Sequence, residues 1–115
     1  MRDQWPFESD VRDVVRQLAA GAYAELERRT AGVRLSAGEI AAAVAAYGRR
    51  VVVPPAGSEP PLDVVPIRAT APPAWSVDVA LWTAEEGQSD LTLQLTVYAQ
   101  PPAGYRIELE DLHVL

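Results

Sequence analysis

The sequence predicts an α+β fold, with two or three N-terminal helices packed on one face of a three- to five-stranded, mainly antiparallel meander sheet. Three observations predict it. The first half of the chain has apolar residues at helical spacing, and the second half has them at every second position. The connections between the alternating segments are short, which is typical of hairpins. Helices followed by a run of strands are typical of this fold class.

The chain has the length of one domain. It contains 115 residues, of which 49% are apolar, so it can bury a hydrophobic core without metals or disulfides. We expect a single domain, with a helical half at about 9–48 and a sheet half at about 51–115.

Two helices are predicted before residue 30, with Ser9 or Asp10 as the first N-cap. Gly21 interrupts the apolar spacing, and glycine inside a helix costs about 1 kcal/mol relative to alanine, so we expect a break there. The helix resumes over Tyr23–Arg29. The apolar positions that indicate the first helix are Val11, Val14, Val15, Leu18 and Ala22.

A third helix is predicted from the capping box Ser36-Ala37-Gly38-Glu39, in which the Ser36 hydroxyl and the Glu39 carboxylate satisfy each other's backbone amides. The helix should extend to about Tyr47. Gly48 is suited to end it in a left-handed conformation.

Two less regular strands are predicted next. Val51–Val53 is a short β-branched run, and it leads into a proline-rich loop at Pro54–Pro61. Leu62–Ala69 has the composition of a strand, but Pro66 cannot donate to a sheet ladder. This segment is therefore expected at an edge of the sheet or at a bulge.

Three segments alternate clearly, with apolar odd positions and mostly polar even positions: Trp75–Thr83, Asp90–Tyr98 and Tyr105–Glu110. This alternation indicates one packed face and one solvated face. The connections Ala84–Ser89 and Gln100–Gly104 predict two hairpins.

The alternation also constrains the strand register. If odd residues of neighbouring strands share the buried face, the numbers of paired residues sum to an even value. A register that obeys this rule pairs Asp78 with Gln94 and Gln94 with Glu108. It also pairs Ser76 with Thr96 and Thr96 with Arg106.

The even positions gather polar and aromatic side chains on one face. If a helix or loop covers this face, Asp78 and Glu108 are desolvated and a general acid–base role becomes possible. We favour the alternative of a solvated face with cross-strand polar pairs. The residues that this register collects are Asp78, Gln94, Arg106 and Glu108, flanked by Trp82 and Tyr98.

Trp82 is a large aromatic residue on the polar side of the alternation. Either it is covered, by Tyr98 or by the N-terminal Trp5-Pro6-Phe7 segment, or it anchors an interface.

The first hairpin loop is acidic, with carboxylates at Glu85, Glu86 and Asp90. These groups suit a hard cation or a basic partner. Their spacing does not match an EF-hand loop, so we do not favour a metal, and a turn around Gly87 with soluble acidic residues is the simpler interpretation. A protein-binding role for the loop remains open.

Composition excludes several classes of function. The chain has no cysteine and a single histidine, His113, which excludes thiolate chemistry and a His-rich metal site. We expect no cofactor and no metal. The net charge of −6 disfavours nucleic acid as a partner. His113 could act as a base for Ser76 or Ser89, but no spacing supports a triad, and we expect an exposed histidine in a C-terminal tail.

Location is predicted from three further features. All ten basic residues are arginine, which indicates a GC-rich bacterial genome. The segment Met1–Asp10 lacks the features of a signal peptide, and no apolar run approaches the ~20 residues that span a bilayer. We therefore expect a cytoplasmic protein that does not bind a membrane.

The segments LWTAEEGQSDLTLQLTV (81–97) and YRIELEDLHVL (105–115) resemble an uncharacterised family of small bacterial domains of unknown function. The resemblance extends from the Leu18-Ala19-Ala20-Gly21-Ala22-Tyr23 segment to the end of the chain, and it implies no known activity or catalytic residues. More loosely, a helical half with a Gly-x-Tyr break before an antiparallel meander is similar to the cystatin-like and NTF2-like folds. The Asp–His pairs typical of enzymes with those folds are absent here.

The function predicted from the sequence is a non-catalytic protein-interaction module, for example an immunity-type or accessory protein that masks a basic partner through the acidic hairpin tip and the Trp82 face. The alternative is an NTF2-like small-molecule-binding protein or enzyme with Asp78 as the acid/base. A deep pocket between helices and sheet, lined by Asp78 or Tyr47, would favour that alternative. A homodimer through the exposed sheet face is a third possibility.

Overall fold

The computed structural model describes residues 5–114, so residues 1–4 of the Met1–Asp10 segment and residue 115 lie outside the description. Three helices precede a five-stranded antiparallel sheet, which confirms the predicted α+β fold. No helix within residues 5–114 is long and apolar enough to cross a membrane. The elements are α1 (Glu8–Ala19), α2 (Tyr23–Arg29), α3 (Ala37–Tyr47), β1 (Val51–Val52), β2 (Asp63–Ile67), β3 (Ala74–Thr83), β4 (Gly87–Ala99) and β5 (Tyr105–Val114).

Helix α1 begins earlier than predicted, and neither Ser9 nor Asp10 is its N-cap. The cap is Phe7, whose carbonyl accepts a hydrogen bond from the Val11 amide at 3.1 Å and whose side chain makes no capping bond. The Phe7 ring is fully buried, so packing rather than a polar cap sets the start of the helix. The break at Gly21, with φ of +73°, is confirmed.

Helix α3 has the predicted ends. The Ser36 hydroxyl accepts from the Glu39 amide at 3.2 Å, and the Ser36 amide donates to the Glu39 carboxylate at 2.9 Å. The hydrogen bonds from Ser36 hold the pKa of the Glu39 carboxyl below its ordinary value. Gly48 ends the helix with φ of +76°.

Two short strands share one edge of β3. Strand β1 pairs with Trp82–Thr83, and β2 pairs with Ala74–Asp78, so no described strand pairs with Val79–Leu81 on that side. Strands β4 and β5 follow on the other side of β3, all antiparallel. The edge position predicted for the strand that contains Pro66 is confirmed.

The predicted register is confirmed for β3 with β4, where Asp78 lies opposite Gln94 and Ser76 opposite Thr96. It is wrong for β4 with β5. There Thr96 lies opposite Glu108 rather than Arg106.

The error in the second register is a displacement of two residues. The turn closes with Ala99 opposite Tyr105, and the Gln100 amide donates to the Gly104 carbonyl at 3.0 Å. Parity alone allows every even displacement, and the turn geometry selects one of them.

A bulge in β4 shortens the first hairpin loop to residues 84–86, instead of the predicted Ala84–Ser89. Ser89 is buried there, with its hydroxyl donating to the Leu81 carbonyl at 2.8 Å and accepting from the Leu91 amide at 3.2 Å. This hydroxyl therefore satisfies backbone groups that the irregular register leaves unpaired.

A second bulge, at Glu110, extends β5 beyond its predicted end. Leu95 lies opposite Leu109 and Gln94 lies opposite Asp111, so Glu110 is the inserted residue. The insertion returns Leu112 to the buried face. His113 is consequently part of a strand and half-buried, not exposed in a tail as predicted.

The core lies between the helices and the odd-numbered face of the sheet. Phe7 joins the helices to the sheet through ring contacts with Trp75 at 5.2 Å and Tyr105 at 5.6 Å between centroids. The largest fully buried side chains are Phe7, Leu18, Leu26, Ile40, Leu81, Leu93, Leu95 and Leu109.

Candidate interaction surface

We call the side of the sheet opposite the helices the polar face. All three helices contribute to the core on the other side, so within residues 5–114 no helix lies over the polar face. Two of its central residues, Thr92 and Thr96, are nevertheless buried, and the Thr96 hydroxyl donates to Glu110. The face is therefore formed by side chains of the sheet itself.

An acidic row crosses the middle of the polar face, with one residue on each of four strands: Asp63 on β2, Asp78 on β3, Gln94 on β4 and Asp111 on β5. Residues directly opposite on antiparallel strands have Cβ atoms about 5 Å apart. The row therefore brings three carboxylates and one amide into lateral contact range.

Asp78 is the least satisfied member of the acidic row. Its Oδ1 atom is buried and has no hydrogen-bond partner among the described residues. Asp63 lies directly opposite on one side, and two carboxylates in that arrangement repel each other.

Asp111, at the far end of the row, has two close contacts within its own strand. Its Oδ1 accepts from the Leu112 amide at 2.9 Å, and its Oδ2 lies 3.3 Å from His113 Nδ1.

A second group of polar side chains lies beside the acidic row, at the β4–β5 hairpin. The Tyr98 hydroxyl donates to Glu108 at 3.2 Å, and Arg106 forms an ion pair with the same carboxylate. The Arg106 guanidinium lies 4.1 Å from the centre of the Tyr98 ring, within cation–π distance. Burial, and then the negative charge of Glu108, raise the pKa of the Tyr98 hydroxyl.

The bulge residue Glu110 lies between the polar face and the helices. Its carboxylate accepts from the Thr96 hydroxyl at 3.0 Å and lies 3.2 Å from Arg34 Nε in the α2–α3 connection. This contact places the connection between α2 and α3 beside the second half of β5.

The acidic hairpin tip forms contacts within the chain. The Glu85 carboxylate accepts from the Arg50 amide at 2.9 Å, which lowers the pKa of Glu85. The Glu86 carboxylate accepts from the Tyr47 hydroxyl at 2.8 Å and from the Thr83 hydroxyl at 3.1 Å. Glu86 thus ties the hairpin to the end of α3, and Glu85 ties it to the connection between α3 and β1.

The remaining carboxylate of the predicted loop, Asp90, is exposed in the β4 bulge. Among the described residues, no group of three or more histidine, aspartate and glutamate side chains is arranged to hold a metal ion.

Trp82 is half-buried on the polar face, next to Gln88 of β4 and Val52 of β1. Its ring lies against the turn glycine, because a Cβ atom built on Gly87 would be 3.5 Å from Trp82 Cζ2. The strands and this turn therefore cover part of the indole.

Neither predicted cover lies over Trp82. Tyr98 is opposite Ala74, at the other end of β3, and Phe7 packs on Trp75 and Tyr105 on the buried side of the sheet. The prediction missed both because strand parity assigns a face but gives no position along it.

The residues of the enzymatic alternative do not converge. Tyr47 lines a pocket of about 300 Å³ between α3 and the end of β5, together with Leu112 and His113. Asp78 is on the opposite face of the sheet. The space between the helices and the sheet is filled by buried apolar side chains.

Two members of the acidic row, Asp63 and Asp111, were not predicted from the sequence. Asp63 was missed because no register was assigned to β2. Asp111 was missed because the alternation was followed only to Glu110. The spacing of Leu109 and Leu112 contained the signal, since three residues between two inward positions of a strand indicate a bulge.

A family model described as "Domain of unknown function (DUF7668)" matches residues 15–115. The chain belongs to this family. The match confirms the resemblance to an uncharacterised family, and the DUF7668 range contains all of the polar face and the hairpin tip. A search of the curated proteins and a search of the solved structures each found no significant match.

Proposed function

We propose that this domain is a non-catalytic protein-interaction module and that its polar face binds a basic protein partner. The observation that carries the proposal is the acidic row Asp63–Asp78–Gln94–Asp111, which crosses four strands on a face that no helix of residues 5–114 covers. The hairpin tip contributes less, because Glu85 and Glu86 already accept hydrogen bonds within the chain.

The chemistry of the row favours a guanidinium or ammonium group. An arginine side chain offers five donors in a plane and suits carboxylates that lie side by side. It would supply a donor to the buried Asp78 Oδ1, which has none among residues 5–114. It would also reduce the repulsion between Asp78 and Asp63.

Apolar contact area is available next to the row. Val65 and Ile67 lie on the same face of β2 and are 56% and 38% exposed. A cationic group at the row and an apolar side chain over β2 would make an interface with both charge complementarity and apolar burial.

The biological setting of the proposal is an immunity-type or accessory protein of the bacterial cytoplasm that masks a basic partner. The net charge of −6, the arginine-only basic composition and the lack of cysteine support it.

A titration with a defined basic peptide tests the proposal. We expect a hexa-arginine peptide, added to the ¹⁵N-labelled domain, to shift amide resonances of β2–β5 around the acidic row. The Asp78→Asn/Asp111→Asn variant should bind at least about tenfold more weakly, because two charges facing the peptide are lost. The matched control Glu25→Gln/Glu59→Gln removes the same charge from exposed positions elsewhere.

Equal weakening in both double variants, or shifts spread evenly over the acidic surface, would show that the peptide responds only to net charge. That result would reject the polar face as the binding site. A Glu85→Gln/Glu86→Gln variant, checked for folding, measures the hairpin tip separately.

A further inference from the structure

Strand β5 has a free edge. It pairs with β4 on one side, and within residues 5–114 no strand pairs with its other side. An edge of this kind presents unpaired N–H and C=O groups, which can pair with a strand from another chain.

The hairpin geometry determines which backbone groups point outward. The Gln100 amide donates to the Gly104 carbonyl opposite it, so this is a hydrogen-bonded pair. Bonded and non-bonded pairs alternate along an antiparallel ladder. Arg106 and Glu108 therefore bond to β4, and Tyr105, Ile107 and Leu109 direct their N–H and C=O groups away from the sheet.

The free segment ends at the bulge. Glu110 interrupts the regular backbone, and Arg34 from the α2–α3 connection lies 3.2 Å from its carboxylate. The regular part of the edge, which has no strand partner within residues 5–114, is thus residues 105–109. It contains no proline, and its charged side chains, Arg106 and Glu108, both lie on the polar face.

A second copy of the chain can pair with this segment about a twofold axis in three central registers. Centring the axis on Arg106 places two arginines opposite each other, and centring it on Glu108 places two glutamates opposite each other. Centring it on Ile107 places each Arg106 opposite a Glu108. Only this last register is electrostatically complementary, and like charges directly opposite are destabilising.

The Ile107-centred register also satisfies the backbone. It makes Ile107–Ile107 and Tyr105–Leu109 the hydrogen-bonded pairs, and those are the residues whose polar backbone groups point outward. The Arg106–Glu108 positions become the non-bonded pairs, in which side chains are closest, with Cα atoms about 4.5 Å apart. The Ile107 and Leu109 side chains lie on the buried side, so the two cores would meet across the edge.

We propose that two copies of this domain associate through antiparallel pairing of residues 105–109 of β5, centred on Ile107, to form one continuous sheet. The twofold axis is perpendicular to the sheet, so both polar faces lie on the same side of the dimer. The proposal is independent of the basic partner, since it concerns the edge and not the acidic row.

Sedimentation velocity at about 150 mM salt, where the repulsion between acidic chains is largely screened, measures the association. We expect the wild type to change from monomer to dimer as its concentration rises. Glu108→Arg and Arg106→Glu should each be monomeric at concentrations where the wild type is dimeric. In either variant, positions 106 and 108 carry the same charge, and they lie opposite each other across the axis. The exposed Glu25→Arg variant, with the same charge change as Glu108→Arg, is the control and should remain dimeric.

Two restored pairings make the test specific. The double variant Arg106→Glu/Glu108→Arg should dimerise again, and an equimolar mixture of the two single variants should form heterodimers. Far-ultraviolet circular dichroism checks that each variant is folded, since Glu108 also contacts Tyr98. A wild type that is monomeric up to millimolar concentration, or a folded double variant that stays monomeric, would overturn the proposal. The Asp78→Asn/Asp111→Asn variant, which tests the basic partner, should still form the dimer. The failure of one proposal can then be told from the failure of the other.

Discussion

Asp78 lies between two different neighbours on the polar face. Gln94 on β4 can donate a hydrogen bond to it, whereas Asp63 on β2 repels it. Its Oδ1 atom is buried and accepts no hydrogen bond from the part of the chain that the structure describes, which adds a desolvation cost. This residue is therefore placed at the expense of stability, as is common where a protein binds a partner.

Replacing Asp78 with asparagine should stabilise the domain. The substitution removes the repulsion with Asp63 and keeps the shape of the side chain. We expect the free energy of unfolding at pH 7 to rise by about 0.2–1 kcal/mol, the range for cross-strand charge pairs. Urea denaturation with an unchanged slope measures the gain.

The control for Asp78→Asn is Glu25→Gln, which removes one exposed carboxylate on α2 and should change stability by less than about 0.5 kcal/mol. A folded Asp78→Asn variant that is less stable than the wild type would show that a donor, such as ordered water, already satisfies the carboxylate. The acidic row would then be a stable solvated feature and not a strained one.

At the scale of secondary-structure elements, helix α3 and the β3–β4 hairpin are joined by a hydrogen bond from the Tyr47 hydroxyl to Glu86 at 2.8 Å. This bond to a carboxylate is the largest cause that raises the pKa of Tyr47. The folded state thus holds the phenol proton more firmly than the unfolded chain does. The resulting stabilisation is complete below the ordinary tyrosine pKa of about 10 and is lost as the pH rises through the higher folded value.

The variant Tyr47→Phe should therefore have two effects. It should be less stable than the wild type at pH 7, because the Glu86 contact is lost. Its stability should also fall less steeply between pH 9 and 11, because one tyrosine with a raised pKa has been removed. Tyr98 also has a raised pKa, so part of the alkaline decline should remain. Urea denaturation at several pH values measures this decline. If stability falls equally steeply with pH in the variant and in the wild type, the linkage is contradicted.

The elements that the sequence predicted well are those with a local cause. The capping box at Ser36 and the left-handed Gly48 depend on neighbours within a few residues, and the structure contains both. The alternation in β3, β4 and β5 reports burial directly, so their buried faces were also predicted. The start of α1 at Glu8 was missed because distant packing of Phe7 determines it.

The candidate site was predicted in part for the same reason. Asp78 and Gln94 were assigned as neighbours because the parity of one hairpin sufficed. Glu108 and Arg106 were assigned to the right face but to wrong partners, since a displacement of two residues leaves parity unchanged. Asp111 reaches the polar face only because of the inserted Glu110, which is a long-range property of the ladder.

For the whole molecule, the two sides of the sheet have different roles. One side holds the helices through a continuous apolar core, with the aromatic residues Phe7, Trp75 and Tyr105 in contact at one end. The other side has an acidic row across its centre. Because of this division, charged residues of the polar face can be replaced without removing side chains from the core.

The edge that β1 and β2 share has a consequence for the exchange of amide protons with solvent. Backbone groups of successive residues in β3 point alternately to β4 and to this edge. The Pro73 carbonyl, just before β3, accepts from Ala99 of β4, and the Ala84 amide, just after β3, donates to Arg50 next to β1. Even-numbered residues of β3 therefore direct their amides to the edge. Ala80 lies in the gap between the two short strands, so among residues 5–114 its amide has no strand partner.

In deuterium oxide the Ala80 proton should exchange at least ~10 times faster than that of Val79, whose amide points to β4. Amide spectra recorded over hours measure both rates, and equal protection of the two protons would show that the gap is closed. Fast exchange at Ala80 would mean that water reaches the backbone of this strand at its interior as well as at its ends.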